Sequence, residues 1–398
     1  MFGVKRSLAF VCLFIFAFSH SVFAQDVSIS GLRFGKNGDT TRFVLDLSSD
    51  IKPRIFLLSS PSRVVIDLPE VKWGVHSEAK ALGAVAGYRH GLFSADTYRI
   101  VLDLKQEAVV TKAFPLPARN GYSDRYVIDL KVAGSKEFNA AVAASRVERS
   151  RTASKAVPAP VTRAARSDNK RVIVVDAGHG GVDPGTLGRF GAHEKVLTLK
   201  ISRQIKQELE ATGRYKVYLT RNRDIYIPHR KRFGLARNVN ADLFISVHVD
   251  AIANSKVRGG TVYTLNENAS DKEAARLAAK ENKSDILAGV DLAETNNEVS
   301  SILIDLAKRE TMNSSAEFAE VLVPAMREQV RMHKKGHRFA NLLVLQSPDV
   351  PSILLETGYR TNKADAKMLN SSAGQKRIAQ AIRKATDRYF ETLMAQGR

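Results

Sequence analysis

Three residues with metal-binding or catalytic side chains, His179, His248 and Glu356, each follow or end a short apolar run that is typical of a buried strand. The carboxyl ends of strands in an open α/β sheet meet at one edge, so we expect these side chains to lie close together. Two imidazoles and one carboxylate are sufficient to hold a zinc ion and leave a fourth position for water. Each feature alone also has an ordinary interpretation, because a Gly-His-Gly turn is often only a turn and a histidine in an apolar strand is often a hydrogen-bonded core residue.

Glu194 is a fourth candidate because of its place in a predicted helix. It lies three residues before the first member of an apolar stripe with helical spacing, Leu197, Ile201, Ile205 and Leu209. Its carboxylate is therefore expected to point toward the core from the first helical turn. A buried carboxylate is costly unless a cation meets it, which favours a metal site.

These residues belong to a long segment in which strands and helices alternate. Apolar runs and helical stripes predict strands at 172–175, 215–219, 243–249, 260–265, 342–345 and 353–355, and helices at 197–209, after Pro228 and at 373–393. The alternation predicts an α/β catalytic domain over residues 171–398, with a mixed, largely parallel sheet and helices on both faces.

The N-terminal part carries a different pattern, a fourfold repeat of Arg-x-Val-(Leu/Ile)-Asp-Leu. The copies occupy residues 42–47, 63–68, 99–104 and 125–130. Each copy alternates between an apolar and a charged face, which predicts a small all-β sandwich domain over residues 25–133. We expect the Arg and Asp side chains to form cross-strand pairs on a solvated face, and the alternative is a polar face that binds a ligand.

Composition and the N-terminal segment restrict the partners. The 398 residues include 61 Lys and Arg against 41 Asp and Glu, a formal charge of +20 that implies an anionic polymer or surface. Residues 1–24 combine a basic start, a short apolar run and a small-residue cleavage site, which predicts a signal peptide, with an uncleaved anchor as the alternative. Export places the protein in a cell envelope and removes its single cysteine, Cys12. Nucleic acid is then not the expected partner.

Residues 134–170 separate the two predicted domains. They contain eight basic and three acidic residues, the sequence Pro158-Ala159-Pro160 and no clear apolar period. We therefore predict a flexible basic linker, with attachment to an anionic surface as a second role.

Four motifs in the C-terminal segment, at residues 174–185, 193–195, 241–251 and 355–358, occur in a specific order and register. In these motifs the segment resembles the zinc-dependent N-acetylmuramoyl-L-alanine amidases. The repeat module resembles the AMIN domain, which precedes this catalytic domain in periplasmic amidases of Gram-negative bacteria and is thought to direct them to peptidoglycan or to the division site.

The resemblance implies one zinc ion (Zn2+) per catalytic domain, held by His179, Glu194 and His248, with Glu356 as the general base. It implies hydrolysis of the amide between N-acetylmuramic acid and L-alanine of peptidoglycan in the periplasm, for septal wall splitting and daughter-cell separation. Another zinc-dependent wall peptidase or deacetylase and a non-catalytic wall-binding protein are the alternatives. The intact set of four residues argues against a non-catalytic wall-binding protein. Only the resemblance argues against another zinc-dependent peptidase or deacetylase.

The stretch 271–313 resembles the regulatory insertion of division-associated amidases, with the motif Glu281-Asn282-Lys283-Ser284-Asp285. In those enzymes a helix of the insertion lies over the active site and can place a carboxylate on the zinc until an activator with a degenerate LytM domain removes it. The resemblance thus implies autoinhibition, with Glu281 as the first candidate and Asp285 as the second, four residues apart on one helical face. Composition alone makes Glu281 a solvated helix residue.

Asp176 and Asp250 flank the predicted ligands. They are candidates for orienting the ligand imidazoles as hydrogen-bond acceptors, and equally for capping local turns. The expected partners are peptidoglycan and a LytM-type activator. We expect a monomer with no transmembrane anchor after signal cleavage.

Overall fold

A computed structural model describes residues 27–153, 170–186, 192–291 and 302–398, with the backbone alone for 150–153 and 302–307. The predicted signal peptide at 1–24 lies outside these residues. None of the described helices combines the length and the apolar character that crossing a bilayer requires.

The N-terminal domain is built from strands because alternating residues give each segment one apolar face. The strands are β1 (Ser28–Asn37), β2 (Thr40–Leu47), β3 (Arg54–Leu58), β4 (Arg63–Pro69), β5 (Lys72–Trp73), β6 (Val85–Leu92), β7 (Thr97–Leu104), β8 (Ala108–Leu116) and β9 (Asp124–Val132). They form one sheet in the order β5-β1-β2-β9-β8 and a second in the order β3-β4-β7-β6. Phe43 and Ile128 of the first sheet share a core with Ile66 and Ile100 of the second. The predicted all-β region is confirmed.

The repeats form adjacent strand pairs in both sheets, β2 with β9 and β4 with β7. Their charges pair across strands as expected, with Arg42 2.7 Å from Asp129 and Arg99 2.6 Å from Asp67. The Arg42 side chain is 54% exposed, so the β2–β9 pair carries the solvated face that the sequence predicts. That expectation is wrong for the β4–β7 pair, where the Arg99 side chain is 4% exposed because part of the C-terminal domain covers it.

The predicted flexible linker is wrong over its first half, which forms helix α1 (Ser135–Ala153). Phe138 and Val142 enter the N-terminal core, and the hydroxyl of Ser145 accepts a hydrogen bond from the Leu57 amide at 3.4 Å. Phe138, Val142 and Ser145 are spaced four and three residues apart, so they lie on one face of α1. Two apolar side chains among alanines and charged residues make a weak periodic signal. Residues 154–169 lie outside the described part of the chain.

The C-terminal domain has the predicted α/β architecture. Its strands are β10 (Arg171–Ala177), β11 (Tyr215–Leu219), β12 (Leu243–Asp250), β13 (Gly260–Leu265), β14 (Met332–Ala340) and β15 (Ser352–Tyr359). Its helices are α2 (Glu194–Glu210), α3 (His229–Asn238), α4 (Lys272–Glu281), α5 (Ser284–Leu287), α6 (Ile302–Gln329), α7 (Lys363–Leu369) and α8 (Ser372–Ala395). The strand order is β11-β10-β12-β15-β13-β14, in which β13 and β15 are antiparallel and the other neighbours are parallel.

Alternate residues of β10 show why helices cover both faces of this sheet. Ile173 and Val175 pack in the core beneath α2 and α8, whereas Val172 and Val174 pack on the opposite side with residues of α3 and α4. Strands β10, β12 and β15 are parallel neighbours, so their carboxyl ends meet at one edge.

The predicted strand at 342–345 is wrong, because this run forms a 3-10 turn (Leu343–Leu345). Leu342 and Leu345 are buried in the core beside α3, so the apolar run reflects burial and not strand pairing. The preceding segment, β14, is the strand at this end of the sheet. It is rich in basic residues, as expected for a sheet edge, and gives no apolar signal.

We expect Phe138→Ala to lower the free energy of unfolding of the N-terminal domain by about 3–5 kcal/mol, since it leaves a cavity in a closed core. Urea unfolding of the full chain, followed by a probe in the N-terminal domain, measures this change. Val147→Ala is the matched control in α1, because Val147 is 53% exposed. Equal effects of both substitutions would show that α1 is not packed on the sandwich.

Candidate active site

Nitrogen and oxygen atoms of buried side chains converge at the carboxyl edge of the sheet. The His179 Nε2 atom lies 3.2 Å from Glu194 Oε1 and 3.3 Å from Glu281 Oε2. The His248 Nδ1 atom lies 3.4 Å and 3.2 Å from the same two oxygens. None of these residues is more than 5% exposed. The structure thus brings together the three predicted ligands, and Glu281 joins them from α4.

The loop after β10 aims His179 at this point. Asp183 Oδ2 lies 2.8 Å from His179 Nδ1, which orients the ring so that Nε2 faces the cluster. A Cβ atom at position 178 would lie 2.5 Å from the His248 ring, so Gly178 permits the two imidazoles to approach. Asp183 was missed from the sequence, although its place four residues after His179 in a glycine-rich turn was an available signal.

Glu194 is held by backbone and side-chain donors at the start of α2. Its Oε1 accepts a hydrogen bond from the Val249 amide at 2.9 Å, and its Oε2 accepts from the amide and hydroxyl of Thr186, both at 2.8 Å. The helix N-terminus also favours a negative charge here. The predicted inward carboxylate is therefore a fixed, ionised group with 0% exposure.

The geometry of this cluster is consistent with a metal ion, since ligand atoms of His179, His248 and Glu281 all lie within 4.8 Å of one another. His179 Nε2, His248 Nδ1 and Glu281 Oε2 are buried and have no hydrogen-bond partner among the described residues. Ligand atoms at about 2.0–2.1 Å from a tetrahedral ion lie about 3.3–3.4 Å from one another. The measured separations of 3.2–3.4 Å agree with that spacing. Two imidazoles with carboxylates are also a donor set that zinc accepts.

The carboxylates make the cluster attract positive charge. Burial disfavours the charged form of His248, but Glu281 and Glu194 outweigh it and raise its pKa to about 9. Burial acts in the same way on His179, where Glu194 and Asp183 outweigh it and raise the pKa well above its ordinary value. A divalent cation would supply the positive charge that these surroundings favour.

Glu356 lies beside the cluster as the register partner of His248 in the β12–β15 pair. It is 1% exposed, and both carboxyl oxygens lack a hydrogen-bond partner among the described residues. Burial and the nearby Asp250 carboxylate raise the pKa of Glu356 well above its ordinary value. A carboxyl group in such surroundings holds a proton more readily, which suits proton transfer.

Asp176 does not orient an imidazole by direct contact in the structure. Its carboxylate accepts hydrogen bonds from Thr220 and Ser246 at 2.6 Å and from Arg232 at 2.8 Å. Arg232 in turn donates to the His179 carbonyl at 3.0 Å. Asp176 therefore supports the ligand loop through the buried guanidinium.

Asp250 and Asp285 both fasten the segment of α4 and α5 to the rest of the domain. Asp250 binds Arg276 at 2.6 Å and Lys280 at 2.9 Å, which holds α4 over the site. Asp285 accepts a hydrogen bond from the Tyr226 hydroxyl at 2.7 Å. Asp250 thus contacts the helix above the site, and Asp285 lies away from the ligand cluster.

The prediction that Glu281 and Asp285 share one helical face is wrong, because α4 ends at Glu281 and α5 starts a separate turn. Asn282 lies between the two helices. The side-chain Nδ2 of Asn282 donates a hydrogen bond to the Asn341 carbonyl, and its Oδ1 accepts one from the Leu343 backbone amide, both at 2.9 Å. These long-range hydrogen bonds hold the chain between α4 and α5, so the side chains of Glu281 and Asp285 point in different directions.

Comparison with known proteins places the chain in one family. A family model described as N-acetylmuramoyl-L-alanine amidase matches residues 173–388. The chain belongs to the N-acetylmuramoyl-L-alanine amidase family. An AMIN domain matches residues 31–134 of this amidase, which agrees with the all-β region.

Curated relatives cover both domains of the amidase. The N-acetylmuramoyl-L-alanine amidase AmiC of Neisseria meningitidis serogroup B is 32% identical over 368 residues, which span 88% of this chain and 87% of the relative. AmiC of Escherichia coli O6:H1 is 31% identical over 364 residues, 88% of this chain and 86% of the relative. A solved structure, AmiC2 of Nostoc punctiforme, is 26% identical, covers 56% of this chain and 97% of its own, and has a TM-score of 0.42.

We expect Asp183→Asn to weaken divalent metal binding by about 10- to 100-fold, because the imidazole of His179 loses the carboxylate that orients it. Competition with a zinc-sensitive chelating dye measures this affinity. Asp349→Asn removes an exposed carboxylate that pairs with Arg237 and serves as the control. Unchanged affinity in Asp183→Asn would show that the Asp183 carboxylate does not contribute to metal binding.

Proposed function

We propose that this amidase is a zinc-dependent peptidoglycan hydrolase that cleaves the amide between N-acetylmuramic acid and L-alanine of the stem peptide. The observation that carries this proposal is the convergence of His179, Glu194 and His248 at one sheet edge, with Glu356 in register beside them. Metal-assisted hydrolysis needs these two components, a fixed cation and an adjacent proton acceptor.

His179, Glu194 and His248 would hold the zinc ion, and each is supported by contacts that do not depend on it. The Glu194 carboxylate is fixed by the Val249 and Thr186 donors, and the His179 ring is fixed by Asp183. When bound, zinc would act as a Lewis acid that polarises the substrate carbonyl and lowers the pKa of water.

Glu356 is the group that moves the proton. Its carboxylate takes a proton from the attacking water and returns it to the amine of L-alanine as the amide bond breaks. Burial and Asp250 raise the pKa of Glu356, which favours the protonated form that this transfer requires. The absence of any hydrogen-bond partner on its oxygens, among the described residues, leaves them available to water and substrate.

Glu281 closes the site in this conformation. Its Oε2 lies as close to the two imidazoles as the Glu194 oxygen does, so it takes the position that water or substrate would need. Lys280 strengthens the closure, since its ammonium lies 2.8 Å from Glu281 Oε1 and 2.9 Å from Asp250. We infer that the resting enzyme is autoinhibited through α4 and that an activator of the LytM type withdraws this helix.

The setting proposed for this activity is the periplasm of a Gram-negative cell, in septal wall splitting and daughter-cell separation. The signal-like segment at 1–24 and the AMIN domain support export and attachment at the wall. The formal charge of +20 favours association with an anionic envelope polymer. We propose a monomeric enzyme.

Digestion of purified sacculi by the Glu281→Ala enzyme tests the reaction class. We expect free glycan strands and stem peptides that begin with L-alanine, identified by mass spectrometry. Stem peptides cut at an internal peptide bond, or deacetylated glycan, would show a different wall hydrolase.

We expect Glu356→Gln in the Glu281→Ala background to retain zinc and lower turnover by about two to four orders of magnitude, because proton transfer is lost while side-chain shape is kept. Zinc analysis and dye release from labelled sacculi measure both properties. Loss of zinc from Glu356→Gln would make Glu356 a ligand.

We expect Glu281→Ala alone to raise the activity measured without an activator, because it removes the carboxylate that covers the ligand cluster. Glu273→Ala is the matched control, since Glu273 lies in the same helix and contacts Arg276. Autoinhibition by Glu281 is wrong if the parent enzyme is already as active alone as the Glu281→Ala variant.

A further inference from the structure

The buried polar face of the β4–β7 pair contacts the chain that follows Glu281. Arg99 uses one side of its guanidinium to bind Asp67, at 2.6 Å and 2.9 Å. Its Nη1 atom donates to the carbonyls of Ala288 at 3.1 Å and Gly289 at 3.0 Å. The N-terminal domain thus binds the backbone of the regulatory stretch directly.

Two further arginines of the same sheet, Arg63 of β4 and Arg89 of β6, bind the carbonyls just before these. Arg63 donates to the carbonyl of Ile286, and Arg89 donates to that of Leu287. Arg89 is positioned by Asp103, which accepts its Nη2 at 2.7 Å. Together, Arg63, Arg89 and Arg99 bind four consecutive carbonyl groups, at residues 286–289, and we call these three residues the arginine face.

Apolar packing completes the contact. A Cβ atom at position 289 would lie 3.0 Å from Val65 Cγ2 and 3.2 Å from Val101 Cγ2, so Gly289 lies directly on the sheet. Ala288 is 0% exposed and packs with Val101 and Tyr226. Gly289 also has a φ of 69°, a left-handed conformation that suits glycine.

The far end of the stretch is bound as well. Asp291 lies 3.2 Å from Arg146 of α1 and also pairs with Arg149 of the same helix. The chain from Glu281 to Asp291 is therefore held at one end by the ligand cluster and at the other by the AMIN domain with its following helix. Between the two ends, Asp285 fastens it to Tyr226.

We propose that the AMIN domain acts as an intramolecular clamp, in which the arginine face holds residues 286–289 and thereby keeps Glu281 over the catalytic site. The proposal rests on the proposed autoinhibition. Withdrawal of α4 pulls on a chain that is short, because only four residues separate Glu281 from Ile286. Opening therefore requires release of the arginine face or strain in those residues, and each bond lost from a charged donor shifts the equilibrium by roughly tenfold.

The test measures dye release from labelled sacculi by the full-length protein without an activator. Gly289→Leu pushes the stretch away from Val65 and Val101, and Arg99→Gln removes the bonds to two carbonyls. We expect each substitution to raise the activity by at least about tenfold, the change that corresponds to the loss of one such bond. Faster amide hydrogen exchange in residues 277–290 is expected alongside.

Two substitutions control for charge and for backbone strain. Arg42→Gln removes the equivalent repeat arginine of the other sheet, which is 54% exposed and pairs with Asp129. Gly213→Leu places the same side chain at a glycine with a φ of 73° and no neighbour within 4 Å of the added Cβ. Neither contacts the regulatory stretch, so we expect both to keep the parent activity.

The outcomes separate this clamp from the autoinhibition on which it rests. If Glu281→Ala raises the activity while Gly289→Leu and Arg99→Gln stay at the parent level, the clamp is wrong and autoinhibition stands. If Glu281→Ala has no effect on the activity, the proposed autoinhibition is wrong, and the clamp that rests on it is wrong as well. Arg99 also pairs with Asp67, so Arg99→Gln could destabilise the AMIN domain. Its activity is therefore interpreted only if its thermal unfolding matches that of the parent. If it does not, Gly289→Leu, which leaves the AMIN domain unaltered, provides the test of the clamp.

Discussion

Buried negative charge at the carboxyl edge of the α/β sheet is the constraint on which the rest of the structure depends. Glu194 and Glu281 are 0% and 2% exposed, and their oxygens point at the same two imidazole nitrogens. Carboxylates in such a place are stable only with cationic partners, and removal of one partner from a buried ion pair costs roughly 3–5 kcal/mol. Several elements bring cationic or hydrogen-bonding partners to these carboxylates: the parallel strands β10, β12 and β15, the start of α2, and α4.

The same requirement explains the electrostatics of helix α4. Lys280 lies between Glu281 and Asp250, so α4 carries its own cation into the acidic site. Arg276 adds a second contact with Asp250. The observed position of α4 is therefore favoured both by Glu281 at the two imidazoles and by the neighbouring ion pairs, so the energy needed to displace α4 would be spread over several contacts.

The sequence predicts the site where local pattern and topology agree. His179, His248 and Glu356 follow strand ends, and Glu194 begins an apolar helical stripe, so the pattern makes each a candidate, whereas their roles are implied only by the family resemblance. The separation of Glu281 from Asp285 was not predictable, because Asn282 ends α4 through hydrogen bonds to residues 60 positions away in the chain, at Asn341 and Leu343. Helix α1 was missed because its buried face uses only two strongly apolar residues.

The repeats show the same limit at the level of domains. Arg42 and Arg99 occupy identical places in identical motifs, and cross-strand pairing was correctly predicted for both. Their exposure differs because the second domain covers one sheet and not the other, a difference that no local pattern contains. The geometry of the candidate site follows from the sheet, whereas the regulation that we propose depends on contacts between residues about 190 positions apart, such as Arg99 and Gly289.

We propose that Glu281 shares one metal ion with His179, Glu194 and His248 in the resting enzyme. Anomalous diffraction at the zinc absorption edge, from crystals of the full-length protein grown with zinc, tests it most directly. We expect a single strong peak in the catalytic domain, which marks a zinc ion bound at about 2.0–2.2 Å by His179 Nε2, His248 Nδ1 and one oxygen from each glutamate. A peak at that place with Glu281 turned away, or no peak between the two histidines, would contradict it.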